Sequence, residues 1–195
     1  MELTDPFSRF EGVYARACES TQAPYDPTAM TLATADARGR PSARVVLLKS
    51  FDRRGFVFFT NYMSRKGQEL TVNPYAALCM HWAAIGEQVR VAGTVERVEE
   101  GESDAYFRTR PLQSQLGAWA SEQSCPLSSR EALMARVALL AAKYLLGPVP
   151  RPAHWGGYRL VAEEMEFWRE GAFRLHDRFQ YRRHGGVWQM ERLSP

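Results

Sequence analysis

The segment from Arg110 to Ser124, RPLQSQLGAWASEQS, is rich in uncharged hydrogen-bonding side chains. Serines and glutamines follow one another, an arginine stands at the start, and the acid within it is Glu122. Proline at position 111 removes a backbone donor and restricts the residue before it, so we expect the preceding helix to end here and the segment to form a loop. Hydroxyl and amide groups beside an arginine are suited to binding an anion.

A second cationic pair stands at a predicted helix start in TNYMSRKG, residues 60–67. Ser64 is of a type preferred at the N-cap, which places Arg65 and Lys66 in the first turn. Positive side chains oppose the helix dipole at this end, whereas backbone N–H groups there favour a bound phosphate. The pattern therefore favours a phosphate site, and a solvent-exposed first turn is the alternative.

Two further groups of cations fit the same chemistry. Arg44 and Lys49 lie in the apolar run RVVLLK, and their odd spacing predicts opposite faces of a strand, one for each of two ligands. Strand-end side chains that extend into solvent are the alternative. Tyr106 and Arg110 are four residues apart, so on a helix they share a face, and with Ser114 they could grip one phosphate.

Near the C-terminus, RLHDR places Arg174, His176 and Arg178 at alternate positions. In a strand all three project from one face, where they repel one another unless an anionic or electron-rich partner lies against them. An exposed strand face is the alternative. Trp168, a few residues earlier, suits the covering of a planar ligand, although a buried tryptophan is more often part of the core.

Other kinds of site find no support in the sequence. Neither a G-x-G-x-x-G motif after a strand nor a G-x-x-x-x-G-K-[ST] motif is present. No Ser/His/Asp triad can be assembled. His81, His154 and His184 have no partners at metal-ligand spacing, so we expect no metal and interpret them as structural or exposed.

The elements that must position these groups are mostly strands. Alternating apolar residues and turn signals predict two strands around a turn at Asp36–Arg40, then strands at Gly55–Asn61, Ala76–Ile85 and Glu87–Glu99, and three in the tail with turns at Glu170–Gly171 and Gly185–Gly186. Helical spacing predicts helices at Phe7–Cys18, in SRKGQEL, in ESDAYFRTR and at Arg130–Gly147. We therefore expect an antiparallel barrel with peripheral helices, in a single domain of residues 1–195.

Composition narrows the class of protein. The 195 residues are 45% hydrophobic and 24% charged, which is enough for a proper core. The formal net charge is +3, with Lys and Arg dispersed, so small anions fit as ligands better than nucleic acid. Cys18, Cys79 and Cys125 form no C-x-x-C pair, which indicates reduced thiols. With no run of about 18 apolar residues, a soluble cytoplasmic protein without a membrane partner is expected.

Taken together, these motifs resemble the pyridoxamine 5'-phosphate oxidase family, also called the pyridoxine 5'-phosphate oxidase family, from Asp26 to Pro195. The specific pieces are RVVLLK, GFVFFTNYMSRKG, YFRTRPLQSQLGAWASEQS, WGGYR and EFWREGAFRLHDR, with the terminal RLSP. The resemblance implies a mainly β fold with peripheral helices (α+β), the FMN-binding split β-barrel, acting as a homodimer with FMN at the interface. It also implies oxidation of pyridoxine 5'-phosphate or pyridoxamine 5'-phosphate to pyridoxal 5'-phosphate, with dioxygen as acceptor and hydrogen peroxide as product.

The resemblance further implies roles for individual residues. For FMN it implies contacts from Arg44, Val45, Val46, Leu47, Leu48, Lys49, Phe59, Thr60, Arg65, Lys66, Gln88, Gln123, Ser124, Trp168 and Arg178, with Arg65 and Lys66 on the phosphate. For the substrate it implies Lys49, Tyr106, Arg110 and Ser114 around the phosphate. Arg174 and His176 would lie against the pyridine ring as the catalytic residues.

Two departures from the family's pattern accompany the resemblance. Glu87 stands just before the QVR strand, where many members carry arginine, and the chain begins close to its first helix, without the longer arm of some members. Two other functions stay open at this point. One is a split-barrel flavin oxidase of another pathway, of the phenazine type, expected to lack parts of the Tyr106, Arg110 and Ser114 set. The other is a non-catalytic FMN or pyridoxal-phosphate binding protein.

Overall fold

The structure, a computed structural model, describes residues 5–20 and 26–195. Its helices are α1 (Pro6–Glu19), α2 (Arg65–Val72), α3 (Glu100–Thr109), α4 (Leu112–Ala120) and α5 (Arg130–Lys143). Its strands are β1 (Ala29–Ala35), β2 (Pro41–Leu47), β3 (Ser50–Asp52), β4 (Gly55–Asn61), β5 (Tyr75–Trp82), β6 (Glu87–Arg97), β7 (Trp155–Arg169), β8 (Asp177–His184) and β9 (Val187–Leu193). Short 3-10 turns lie at Ala83–Ile85 and Ala172–Arg174.

The strands form one curled antiparallel sheet in the order β2-β1-β5-β6-β7-β4-β3. Outside this order, β8 pairs with β7 and β9 pairs with β8. The 15-residue β7 pairs with β6 along one edge. Along its other edge it pairs with β4 near its start and with β8 near its end. A register shift at Gly93 accompanies the bend, and a Cβ there would stand 2.0 Å from the Val161 carbonyl oxygen, so glycine is required.

The main core lies between this sheet and α1. Asp5 caps α1 by accepting a hydrogen bond from the Ser8 backbone N–H at 3.1 Å, and proline follows at the first helical position. Phe10, fully buried, packs edge-on against Phe51 and Phe56 at centroid distances of 4.7 and 4.9 Å. Burying such a ring stabilises the fold by roughly 1.5–3 kcal/mol, so the predicted apolar face is what fixes α1 on the sheet.

A second, smaller hydrophobic cluster joins the helices to the start of β7. Its buried members are Phe107 of α3, Leu116 of α4, Val149 and Trp155, and side chains of α5 pack against them. This cluster fixes the corner between α3 and α4 against β4 and β7. None of the helices in the described residues is long and apolar enough to cross a bilayer.

The prediction of a loop over Arg110–Ser124 is wrong. Helix α3 does end before Pro111, but α4 begins immediately after it, and the Pro111 carbonyl oxygen accepts hydrogen bonds from the Ser114 and Gln115 backbone N–H groups. Proline is tolerated at this position because the N–H groups of the first turn have no partner within the helix. The proline therefore separates two helices.

Two predictions about strand faces are also wrong. Strand β2 ends at Leu47, so Lys49 lies beyond the strand and the opposite-face argument does not apply to it. Strand β8 begins only at Asp177, so Arg174 and His176 do not share a strand face with Arg178. Arg174 lies in the preceding 3-10 turn with φ of 63°, a left-handed backbone conformation.

The remaining element predictions hold, with shifts at some ends. The strand predicted at Ala76–Ile85 runs from Tyr75 to Trp82 and then tightens into a 3-10 turn. The helix predicted at Arg130–Gly147 ends at Lys143, four residues before the glycine. Pairing is antiparallel throughout the strands described, as expected.

Candidate functional site

A cavity of about 550 Å³ opens where β2, β4 and α2 meet the α3–α4 corner, a volume typical of small-molecule sites. We call it the cationic cavity. It is lined by Arg44, Val45, Val46, Leu47, Lys49, Phe59, Thr60, Lys66, Tyr106, Thr109, Arg110, Pro111, Ser114, Gln123 and Trp155. Four of these side chains are Arg or Lys and none is Asp or Glu, so the cavity is suited to an anionic ligand.

Lys66 is the most deeply buried cation of this cavity, only 9% exposed. Ser64 caps α2 as predicted, accepting a hydrogen bond from the Gly67 N–H at 3.4 Å, and so fixes Lys66 in the first turn. Its Nζ donates to the Gln123 side-chain oxygen at 2.7 Å and to the Thr60 and Ser64 hydroxyls at 3.2 and 3.3 Å. All three partners are neutral, which leaves the charge of Lys66 without a counterion among them.

The environment of Lys66 lowers the pKa of its ammonium group. Burial lowers the pKa of Lys66 most, the neighbouring Arg44 charge lowers it further, and Glu69 opposes both, so that the pKa falls to about 8. A phosphate at this point would supply the missing negative charge and would raise the pKa again. Lys66 is thus the side chain in this cavity with the strongest electrostatic need for an anion.

Arg110 occupies the opposite wall, at the C-cap of α3. Its guanidinium carbon lies 4.6 Å from the centre of the Trp155 ring, and burial lowers its pKa. Its Nη1 is buried and has no hydrogen-bond partner in the described part of the chain. An unsatisfied buried donor costs about 1–3 kcal/mol, and more when charged, so this atom fits an anionic acceptor in the cavity.

Three nearly parallel aromatic rings support this wall. Tyr106 stacks on Phe59 with centroids 4.1 Å apart, and Trp155 stacks on Phe59 at 5.5 Å. Sequence reasoning quoted WGGYR as a family motif but gave Trp155 no role. The signal available in the sequence was Gly156, which follows Trp155. In the structure a Cβ on Gly156 would stand 2.1 Å from the Tyr62 hydroxyl oxygen, so the packing here needs glycine. Such close packing marks the start of β7 as a fixed structural point.

Glu69 is a second residue that sequence reasoning missed. One of its oxygens accepts hydrogen bonds from Thr34, Ser42 and Arg44 at 2.5, 2.6 and 3.1 Å, and the other accepts from Arg65 Nε at 2.8 Å. Burial alone would raise the pKa of Glu69, but these hydrogen bonds outweigh it and bring the pKa down to about 2. The available signal was the four-residue spacing from Arg65, typical of a helical ion pair.

The predicted site residues fall into two places in one chain. Arg65 is 64% exposed, pairs with Glu69 and does not line the cavity. Leu48 is buried in the hydrophobic core and does not line the cavity either. Ser124 is exposed, in a left-handed backbone conformation, and is also outside the lining. The other predicted residues outside the cavity are Gln88, Trp168, Arg174, His176 and Arg178.

Most of that second set forms what we call the strand-face group: Gln88, Trp168, His176 and Arg178. Gln88 pairs with Trp168 across β6 and β7, and Trp168 pairs with Arg178 across β7 and β8, so the three side chains share a face. The His176 ring lies 4.6 Å from the Trp168 ring. The structure thus assembles these predicted residues, but apart from the cationic cavity.

Two models of known protein families match this chain. The family model for pyridoxamine 5'-phosphate oxidase matches residues 19–144, and the model for the pyridoxine 5'-phosphate oxidase C-terminal dimerisation region matches residues 155–195. The chain belongs to the pyridoxamine 5'-phosphate oxidase family. Membership supports an oxidoreductase that binds flavin, as the sequence resemblance implied.

Curated relatives agree with the family assignment. The pyridoxine/pyridoxamine 5'-phosphate oxidase of Myxococcus xanthus is 54% identical over 191 residues, which cover 98% of this chain and 92% of the relative. The enzyme of the same name from Paraburkholderia phymatum is 55% identical over 192 residues, covering 98% and 89%. Similarity to these family members therefore extends over almost the whole chain.

Solved structures confirm the split β-barrel fold. PhzG from Burkholderia lata, in complex with tetrahydrophenazine-1-carboxylic acid, superposes with a TM-score of 0.93 at 38% identity, covering 99% of this chain and 94% of that one. An FMN-binding protein related to pyridoxamine 5'-phosphate oxidase, from Nostoc punctiforme, gives a TM-score of 0.76 at 18% identity, covering 95% and 97%. The second likeness concerns the fold alone.

Glu87, which departs from the family's arginine, has a defined partner in this member of the family. Its carboxylate accepts a hydrogen bond from Arg16 Nη2 at 2.7 Å and is only 12% exposed. The pair joins α1 to the start of β6, next to Gln88 of the strand-face group. Glu87 therefore has a structural contact of its own at this position.

Proposed function

We propose that this protein oxidises pyridoxine 5'-phosphate or pyridoxamine 5'-phosphate to pyridoxal 5'-phosphate, with FMN as cofactor and dioxygen as electron acceptor. The observation that carries the proposal is the cationic cavity, where four cations and no acid surround one space. Its polar groups divide between two walls. Such a division suits two phosphate groups, one from the flavin and one from the substrate.

The wall built from β4 and α2 would hold the flavin phosphate. Lys66 has a buried charge with only neutral partners, and Thr60 and Gln123 offer further polar contacts on the same side. Backbone N–H groups of the first turn of α2 add to the attraction. Arg44 lines the cavity from β2 and brings a second positive charge.

The wall built from α3 and α4 would hold the substrate phosphate. Arg110 carries the unpartnered Nη1, and Tyr106 and Ser114 line the same wall, with Lys49 across from them on the chain after β2. Stacking on Trp155 fixes the Arg110 guanidinium before substrate arrives, which lowers the entropy lost on binding. Arg174 and His176 would orient the pyridine ring.

When bound, FMN supplies the two-electron oxidation chemistry, and the protein supplies binding and orientation. Positioning of the substrate by its phosphate brings its reacting carbon to the flavin, so no strong general base is needed from these residues. The aromatic wall excludes water from one side of the site.

We infer a homodimer from the two places occupied by the predicted residues. The strand-face group does not line the cationic cavity, and it lies within residues 155–195, the match to a dimerisation region, except for Gln88. A second copy of the chain would bring its strand-face group, with Arg174, to the cavity. The flavin would then lie at the interface.

The proposed reaction has a direct test. The purified protein, mixed with FMN and pyridoxine 5'-phosphate in air, is expected to produce aldehyde absorbance together with hydrogen peroxide. A yellow protein that binds FMN but forms no aldehyde would contradict this reaction. Measuring both products separates oxidation from binding alone.

A second candidate function is oxidation of a reduced phenazine precursor. The likeness to PhzG in complex with tetrahydrophenazine-1-carboxylic acid favours it, at 38% identity. The relatives named as pyridoxine/pyridoxamine 5'-phosphate oxidases are more similar, at 54–55% identity. The Tyr106, Arg110 and Ser114 set, which the phenazine type is expected to lack in part, is complete in this cavity. Consumption of the tetrahydrophenazine without aldehyde formation from pyridoxine 5'-phosphate would reverse this order.

Flavin content and dimerisation are expected to be linked. If FMN binds at the interface, it stabilises the dimer by mass action, because it binds the assembled form and not the separated chains. Sedimentation of the protein at decreasing concentration, with and without FMN, should give a lower dissociation constant for the dimer when FMN is present. A monomer that retains one FMN per chain at high dilution would contradict the interface site.

A further inference from the structure

A buried carboxylate next to the cationic cavity has contacts that the proposed function does not use. The Glu69 side chain is 6% exposed and receives hydrogen bonds from β1, from β2 and from its own helix. Its partners from the two strands are Thr34, Ser42 and Arg44, and its partner in α2 is Arg65. Glu69 therefore joins α2 to the strand that carries a cavity-lining arginine.

Both terminal nitrogens of the Arg44 guanidinium donate hydrogen bonds. Its Nη1 donates to the Thr34 hydroxyl at 2.5 Å and to the Leu32 carbonyl at 3.3 Å, and its Nη2 contacts the Ser42 hydroxyl and Glu69. Thr34 and Ser42 themselves donate to Glu69. With Glu69 as the common acceptor, the orientation of the Arg44 guanidinium depends on that carboxylate.

We propose that Glu69 is a positioning residue of the flavin phosphate subsite, holding the guanidinium group of Arg44 in place beside Lys66. This inference rests on the proposed function, since the ligand it serves is the phosphate of FMN. Glu69 does not line the cavity, so it acts through Arg44, which does, and not by touching the ligand. Without this carboxylate, Arg44 would keep only neutral partners in the described part of the chain, namely Thr34, Leu32 and Ser42.

Two effects of Glu69 on phosphate binding have opposite signs. As an anion near the cavity it repels the phosphate, and as an acceptor it orients Arg44 and Arg65. Its charge is already compensated by those two guanidinium groups, at 3.1 and 2.8 Å, so little of its repulsion extends to the cavity. The orienting effect is therefore expected to dominate.

The negative charge of Glu69 also raises the pKa of Lys66. A change in that pKa can be measured, and a purely structural role of Glu69 would not produce it. The groups around Lys66 are Arg44 from β2, Glu69 from α2, Thr60 from β4 and Gln123 after α4. Of the two charged groups, Arg44 lowers the pKa of Lys66 and Glu69 raises it. Removing the negative charge should thus lower the pKa of Lys66 below its present value of about 8.

The test compares Glu69→Gln with the unaltered protein, using FMN and riboflavin as probes. Riboflavin lacks the phosphate and so reports on all other flavin contacts. By flavin fluorescence at pH 7, the variant is expected to bind FMN about tenfold more weakly, the equivalent of one charge-assisted hydrogen bond, with riboflavin affinity unchanged. In a titration from pH 6.5 to 9.5, the loss of FMN affinity should begin at lower pH than in the unaltered protein.

A matched control is Glu102→Gln, which breaks the ion pair to the buried Arg159 at 3.0 Å, with neither residue lining the cavity. It should leave the preference for FMN over riboflavin and the pH profile unchanged even if stability falls. Should Glu69→Gln fold poorly, Ser42→Ala removes a neutral donor to the same carboxylate, and about threefold weaker FMN binding with an unshifted pH profile is expected.

The outcomes distinguish the two proposals. If the unaltered protein fails to prefer FMN over riboflavin, the proposed flavin phosphate site itself is wrong. If it prefers FMN and Glu69→Gln keeps the same or a higher preference with an unshifted profile, Glu69 is not a positioning residue. NMR titration of the flavin-free proteins measures the pKa of Lys66 directly. The same Lys66 pKa in Glu69→Gln and in the unaltered protein would also overturn the inference.

Discussion

Replacing Arg110 with alanine is expected to lower kcat/KM for pyridoxine 5'-phosphate by at least about 30-fold, the equivalent of roughly 2 kcal/mol. The buried, unpartnered Nη1 of Arg110 is the donor that the substrate phosphate would satisfy. Unphosphorylated pyridoxine has no phosphate to contact this donor in the unaltered protein, so removing the donor should hardly change its much slower oxidation. Steady-state rates of aldehyde formation with both substrates measure the difference.

The control for this substitution is Arg108→Ala. Arg108 lies on the same helix, is exposed, and its side chain donates to the Asp104 backbone carbonyl at 3.2 Å, outside the cavity. It should leave both rates unchanged. If Arg110→Ala slows both substrates by the same factor, Arg110 supports the fold or the flavin, and the assignment of the α3–α4 wall to the substrate phosphate is wrong.

Replacing Lys66 with methionine is expected to weaken FMN binding by about 1.5–3 kcal/mol, or roughly 10- to 150-fold. Methionine keeps much of the length of the side chain and removes the charge. Because the lost interaction is with phosphate, riboflavin should bind the variant and the unaltered protein alike. Arg65→Met is the matched control in the next position, and since Arg65 is 64% exposed its effect should stay below about 1 kcal/mol. Equal losses in the two variants would contradict the structural distinction between them.

The same lysine should give FMN affinity a pH dependence. A phosphate monoester loses its second proton near pH 6, so between pH 7 and 9 the ligand charge is constant. Lys66 is charged below its pKa of about 8 and neutral above it, so FMN affinity should fall as the pH rises through this value. Lys66→Met should bind FMN weakly but with no such fall. A fall that persists in the variant would assign the titration to another group.

Local patterns predicted those parts of the site that depend on neighbours in sequence. Ser64 capping α2 and the apolar face of α1 are encoded within one or two turns, and both predictions hold. The loop predicted after Pro111 was wrong because the same ring that ends one helix is compatible with the first turn of the next. Trp155 was missed because its ring partners lie on other strands and helices. For Glu69 the spacing indicates only the contact with Arg65, whereas Thr34, Ser42 and Arg44 come from β1 and β2.

The long strand β7 carries one residue of the cavity wall and one residue of the strand-face group, each near one of its ends. Trp155 stands at its first position in the cavity wall, and Trp168 stands near its last in the strand-face group. At about 3.3 Å per residue the two are up to roughly 40 Å apart along an extended chain, and somewhat less along a curled sheet. Under the proposed function, the two tryptophans around one flavin would therefore come from different copies of the chain. In a two-fold dimer each site would draw one half from each chain, so that a mixed pair of chains, one altered at Arg110 and the other at His176, would combine one fully intact site with one doubly altered site.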